Sequence, residues 1–173
     1  VNDSQTEPDQ TKPSDFLRKQ YKLGKDGTVQ FVDGSDMYSV VTIPSKIVMN
    51  GVHYKVTSIA PNAFKDNKKI TKVIIDGNIK SIGKNAFRGC SKLKNVVIGK
   101  NVKNIGDRAF YKCKSLKSIT IKTTKLSKKR VGKSAFKGIH SKATIKVPKK
   151  KLSGYKKMLR TKGIGKKVII KKS

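Results

Sequence analysis

The sequence predicts a β-rich repeat solenoid, a curved array of 23-residue coils with a β-hairpin cap at the N-terminal end and a helix–strand cap at the C-terminal end. Three observations carry this prediction. The phrase Ile82-Gly83-Lys84-Asn85-Ala86-Phe87-Arg88-Gly89-Cys90 returns 23 residues later as Ile105-Gly106-Asp107-Arg108-Ala109-Phe110-Tyr111-Lys112-Cys113. The same frame stands 23 residues upstream as Ile59-Ala60-Pro61-Asn62-Ala63-Phe64, and 26 residues beyond Ile105 as Val131-Gly132-Lys133-Ser134-Ala135-Phe136. After each Ala-Phe pair an apolar skeleton recurs, Ile70, Leu93 and Leu116, then Val73, Val96 and Ile119, then Ile75, Ile98 and Ile121. That spacing, L-x-x-V-x-I, has the period of two that buries one side of a short strand and exposes the other. A fixed period of this size marks units that bury themselves only against their neighbours.

Each element follows in order. Residues 1–18 are polar, carry Pro8 and Pro13 and four acids, and hold too little apolar surface to order themselves, so they read as a disordered linker or stalk. A start at Val1 reads as a processed or trimmed product. Residues 19–173 read as one domain, with the N-terminal cap and first strand over 19–58, the repeats over 59–147 and the C-terminal cap over 148–173. Tyr21 to Leu23 and Thr28 to Val32 flank Asp26-Gly27, a type I′ hairpin signal, and Ile47 to Met49 and Val52 to Val56 flank Asn50-Gly51, a clearer one. Val41-Thr42-Ile43-Pro44 reads as the first solenoid strand. Within the array, Phe64, Phe87, Phe110 and Phe136 are predicted to stack as an aromatic spine, and Gly83, Gly106 and Gly132 to mark the bend into each return segment. Ala143 to Val147 makes a last strand that Pro148 stops. Lys149 to Lys162 is helix-like, with Leu152, Tyr155 and Leu159 on one face and Gly163 past its end, and Val168-Ile169-Ile170 is a terminal strand.

Composition limits the function. No run of 18 apolar residues spans a membrane, and the chain reads as a monomer. The net charge of +32 is polarised: residues 1–76 hold 11 Lys/Arg against 9 Asp/Glu, whereas residues 77–173 hold 31 against the single acid Asp107. Only five of the 42 basic residues are Arg, which favours loose electrostatic attraction over shaped bidentate recognition. Cys90 and Cys113 occupy equivalent places in consecutive coils, roughly 5 Å apart at strand spacing. A disulfide is conceivable at that distance. A ladder of buried free thiols is the preferred reading, because equivalent inward positions are filled by small hydrophobes.

The frames Ile-Gly-x-x-Ala-Phe-x-x-Cys-x-x-Leu-x-x-Val-x-Ile at 82–98 and 105–121, with Ile119 in the Val place, resemble BspA-like leucine-rich repeats, a bacterial cell-surface class. The resemblance covers roughly 40–147, with three well-formed frames. It implies a curved parallel array on an exported or lipid-anchored protein, extracellular or attached to the cell surface, and adhesion to host matrix proteins or other cells for some relatives. Asn67 and Ile139 stand where the Cys is expected in the first and last frames, and the 121–131 connection carries a three-residue insertion. The motif is wholly structural and transfers no binding residues.

The residues point to no catalysis. The two histidines, His53 and His140, lack a nucleophile with an orienting partner, and Asp66, Asp76 and Asp107 fall one per repeat region, so no acid pair or metal set forms. No cofactor or metal is expected. The binding candidates are the exposed strand positions Thr71, Lys72, Lys94, Asn95, Lys117 and Ser118, and the stacked lysines Lys80, Lys103 and Lys129, each two residues before an Ile/Val-Gly pair. Such rows serve either as a solvated surface that blocks edge pairing or as a polyanion contact. The leading function is a non-enzymatic surface binding or adhesion module whose partner is a host or bacterial surface protein, or a polyanion such as a sulfated glycan or teichoic acid. The alternative is a cationic spacer or anchor held to anionic wall polymers. Nucleic acid ranks third, since Tyr111 alone offers a stacking ring in the array.

Overall fold

In the computed structural model, which describes residues 15–75 and 77–173, the coils stack into two sheets, to both of which the central coils contribute a strand, while the last coils join only the larger one. The order is α1 (Asp15–Gln20), β1 (Tyr21–Leu23), β2 (Val29–Phe31), β3 (Ser39–Ile43), β4 (Lys46–Met49), β5 (Val52–Ile59), β6 (Ile70–Ile75), β7 (Ser81–Ile82), β8 (Asn95–Ile98), β9 (Asn104–Ile105), β10 (Ser118–Ile121), β11 (Thr144–Val147), α2 (Leu152–Arg160) and β12 (Ile169–Lys172). The larger sheet runs β12-β11-β10-β8-β6-β3 and is parallel throughout. The smaller runs β1-β2-β5-β7-β9, with β4 paired antiparallel to β5 and a bridge from Ile105 to Val131 continuing it.

The predicted skeleton lies in register. Val41, Val73, Val96, Ile119, Ile145 and Ile170 form one inward row across all six strands of the larger sheet, and all six are buried. Ile59, Ile82, Ile105 and Val131 form the matching row on the other side. Between the rows runs the aromatic spine. Phe64, Phe87, Phe110 and Phe136 stack with centroids 4.8 Å, 5.1 Å and 5.4 Å apart, and Phe31 extends the stack by a ring 5.0 Å from Phe64. Isolated aromatic pairs prefer offset or edge-to-face geometry. Here the strand spacing of about 4.8 Å imposes near-parallel rings, because every Phe sits at the same point of its coil.

Two details differ from expectation. At Asp26-Gly27 only Gly27 takes a positive φ, 71°, and Gly24 N donates to Thr28 O at 2.7 Å, so the loop has three residues and is not a type I′ turn. At Asn50-Gly51 both residues are left-handed, at 51° and 72°, as a type I′ turn demands. Gly83, Gly106 and Gly132 stand at the entry to the turn as expected, but glycine is needed there for close coil contact and not for a positive φ: a Cβ on Gly106 would lie 2.4 Å from Lys84 N of the preceding coil. The left-handed positions lie further on, at Asn62, Asn85, Arg108 and Ser134, and again at Asp66, Gly89, Lys112 and Gly138.

Both ends are built by departures from the repeat. Helix α1 takes in the last four positions of the segment read as a linker, because Leu17 packs on the core and Gln20 is buried; residues 1–14 of that segment lie outside the described residues. Asn67, in the Cys place of the first frame, donates through Nδ2 to Gly34 O and Met37 O, both at 2.9 Å, and accepts from Lys69 N and Ile70 N. It thereby ties the loop before β3 to the first coil. At the other end α2 buries Tyr155, Met158 and Leu159. Tyr155 OH donates to Thr123 O and accepts from Leu126 N, pinning the inserted segment.

Candidate binding surfaces

The outer face of the larger sheet collects all six strand candidates. Lys72, Asn95 and Ser118 are register partners in one row, which Val40 precedes and Thr144 and Ile169 continue. Thr71, Lys94 and Lys117 flank it, linked rung to rung by Lys94 N to Thr71 O at 2.8 Å and Lys117 N to Lys94 O at 3.0 Å. Lys94 and Lys117, with Ser115 and His140, border a shallow hollow of about 340 Å³. Sequence reasoning left out the next outward row, Ile74, Val97 and Thr120, also in register and only half-buried. The x of V-x-I was the signal for it. The face therefore has an apolar strip flanked by amide, hydroxyl and ammonium groups.

The other lysines lie elsewhere. Lys80 and Lys103 line a hollow of about 450 Å³ with Thr28, Lys55, Thr57, Asn78, Asn101 and Lys125. Lys129 sits in the turn before Val131 and is not part of that lining; the inserted segment brings Lys125 to the hollow instead, where its Nζ donates to Asn101 Oδ1 at 3.2 Å. Lys55, Asn78, Asn101 and Lys125 were missed, although Asn78 and Asn101 repeat at the coil period. The structure thus divides the lysine candidates between two surfaces and does not gather them into one site.

The two thiols lie in the core, away from both surfaces. Cys90 and Cys113 are free and fully buried, and their Sγ atoms donate to Phe64 O and Phe87 O of the preceding coil at 3.0 Å. Contact with Cys90 and burial both push the Cys113 thiol well above its ordinary range, which keeps it protonated. His140 Nδ1 accepts from Lys142 N, and His53 is exposed on the hairpin. The described residues hold no cluster of three or more His, Cys, Asp or Glu placed for a metal, and no helix long and apolar enough to cross a membrane. Tyr111, the stacking ring expected within the repeats, carries three cations over its ring, Arg88 at 5.6 Å, Arg108 at 5.8 Å and Lys112 at 5.4 Å, and is already occupied.

The comparisons with known proteins agree with this architecture. No curated protein matches the chain. Among solved structures, a leucine-rich repeat protein from Bacteroides capillosus is 29% identical, covers 69% of this chain and 91% of its own, and superposes with a TM-score of 0.55. A leucine-rich repeat protein from Bacteroides ovatus is 31% identical over 75% of this chain, with a TM-score of 0.60, and this chain spans only 36% of it. A leucine-rich repeat protein of T. pallidum, at 23% identity and a TM-score of 0.58, covers 78% of this chain and 70% of its own and shares the fold. The BspA-type leucine-rich repeat region matches residues 56–171 in six copies. That is more than the three frames legible over 40–147, because β11 and β12 continue the sheet after the Ala-Phe frame has ended. The two sheets, the Phe and Cys ladders and the six-copy match together make the chain a member of the BspA-type leucine-rich-repeat family.

Proposed function

We propose that the chain is a non-enzymatic binding module of a bacterial cell surface, and that it contacts a protein partner through the outer face of the larger sheet. One observation carries the reading: half-buried Ile74 and Val97 lie side by side on the outer face, next to the Lys72–Asn95–Ser118 row with the Thr71–Lys94–Lys117 flank beyond it, on a sheet whose inner side is packed. Protein contacts are built in this way, with a desolvated apolar centre and a polar rim. A parallel sheet with its inner face buried also loses little freedom when a partner docks, so more of the contact energy appears as affinity.

The test is surface plasmon resonance of the folded domain against immobilised extracellular-matrix proteins and against envelope proteins of the producing cell. Val97→Asp in the centre of the strip is expected to abolish the response, and Lys156→Asp on the exposed side of α2 to leave it intact. A partner whose binding survives Val97→Asp sinks the sheet-face reading. The second reading, a cationic spacer held to anionic wall polymers such as teichoic acid, is favoured by the crowding of 31 basic residues beyond residue 76. It requires no shaped surface, and retention on purified walls that is insensitive to every single substitution would support it instead.

A further inference from the structure

The hollow beside the smaller sheet has features that a merely solvated basic surface does not need. Lys80 and Lys103 occupy consecutive rungs, with Lys80 N donating to Thr57 O and Lys103 N to Lys80 O, both at 2.8 Å. Lys55 approaches from the hairpin strand β5 and Lys125 from the inserted segment, so residues from four coils meet at one opening of about 450 Å³. Rungs about 4.8 Å apart lie well inside the screening length of about 8 Å at physiological salt, so these ammonium groups repel one another across the gap. Among the described residues the ion pairs run from Lys19 to Asp33 and Asp36, and none involves these four lysines. Asp26 lies within electrostatic range of Lys80, but its carboxylate is already engaged by Thr28 N and Oγ1, at 3.1 Å and 2.6 Å.

The polar lining is held in place. Asn78 Nδ2 donates to Ser45 O at 3.1 Å and Asn101 Nδ2 to Gly77 O at 2.7 Å, and the Asn101 amide in turn draws Lys125 Nζ to 3.2 Å. A flexible lysine is thus pulled toward like charges by a fixed acceptor, which is the arrangement of a site awaiting an anion.

We propose that this hollow is a binding site for a linear polyanion that carries sulfate or phosphate esters on a hydroxylated backbone. Successive ammonium groups at strand spacing meet successive tetrahedral anions, and lysine suits them because it presents a point charge without a planar fork. The Asn and Thr side chains offer hydrogen bonds to hydroxyl groups between the charges. No aromatic residue lines the hollow, so nucleic-acid bases find nothing to stack on. The proposal rests on reading the chain as a binding module, but uses a surface separate from the sheet face.

The deciding experiment is calorimetric titration of the folded chain at physiological salt with a heparin-derived hexasaccharide, a glycerol-phosphate oligomer and an oligothymidylate of equal charge. Lys80→Gln with Lys103→Gln is expected to weaken binding of the sulfated or the phosphodiester oligomer by about tenfold or more, and to flatten its salt dependence by the counter-ions no longer released. Lys156→Gln with Lys157→Gln removes the same charge from α2 and is expected to change affinity by less than about twofold. Thermal melts of both pairs confirm folding. A preference between the two oligomers identifies the source of the ester. Equal losses from the two pairs, binding of neither oligomer, or oligothymidylate bound as tightly as both would overturn the site. Val97→Asp is run alongside: because it leaves the hollow untouched, loss of protein binding and loss of polyanion binding are read separately.

Discussion

The rings of Phe87 and Phe110 lie parallel to within 1° with their centroids 5.1 Å apart, one coil stacked directly on the next. Both are fully buried. Phe110→Ala is therefore expected to cost about 3–5 kcal/mol, the usual range for emptying a packed aromatic position. Coils gain burial only from their neighbours, so the loss spreads, and hydrogen exchange is expected to rise in the coils of Phe87 and Phe136 together. A loss below about 1 kcal/mol in chemical denaturation would contradict a continuous spine.

Cys113 donates to Phe87 O and stays neutral in the folded state, whereas its thiol ionises in the ordinary range once the chain unfolds. A raised folded pKa contributes stability that is complete below the ordinary thiol range and is lost as pH climbs above it. The stability advantage of the wild-type chain over Cys113→Ala should accordingly shrink between about pH 8 and pH 10, the range around an ordinary thiol pKa. In the native state both cysteines should react with a thiol probe only at the rate of local unfolding. Rapid alkylation, or a Cys90–Cys113 disulfide in mass spectra, contradicts the ladder.

Asn67 offers a test of whether the repeat consensus is optimal everywhere. Asn67→Cys restores the family residue but removes the amide partner of Met37 O, Lys69 N and Ile70 N, and leaves Gly34 O with the Met37 N–H alone. Each buried group left unpaired costs about 1–3 kcal/mol, so the consensus change should destabilise the chain markedly and free the loop before β3. An unchanged melting temperature would show that water replaces the amide without penalty.

Backbone conformation makes a paired prediction. Lys112 holds φ at 58° in a place where Gly89 and Gly138 serve the neighbouring coils. A left-handed non-glycine residue costs about 1–2 kcal/mol, against about 0.5–1 kcal/mol for its exposed contact with Tyr111. Lys112→Gly should then raise stability slightly. Gly106→Ala should do the reverse and severely, since its Cβ would press on the backbone at Lys84 N. Urea denaturation of both variants checks the pair, and destabilisation by Lys112→Gly would mean that the cation–ring contact outweighs the strain.

The rows Val73 to Ile119 and Ile59 to Val131, the Phe64-to-Phe136 stack, the Cys ladder and the terminal helix were legible in the linear sequence, whereas the register that adds Val41, Ile145 and Ile170 to the first row came from the structure. In a solenoid, residues one period apart become neighbours, so periodicity alone states the contacts. The same logic placed Thr71, Lys72, Lys94, Asn95, Lys117 and Ser118 together, because they fall at two adjacent positions of the repeat. It failed wherever the repeat is broken. Lys125 rather than Lys129 lines the basic hollow, since the three inserted residues and the Tyr155 anchor decide how that segment folds back. Phe31 joins the spine from a hairpin that carries no frame. Asn67 finds Gly34 and Met37 across 33 and 30 residues that share no repeat with it. The sequence by itself determined the coil and its core, which depend on local spacing. Tertiary structure alone decided the caps and the convergence of lysines, because those depend on how chain outside the period packs against chain within it.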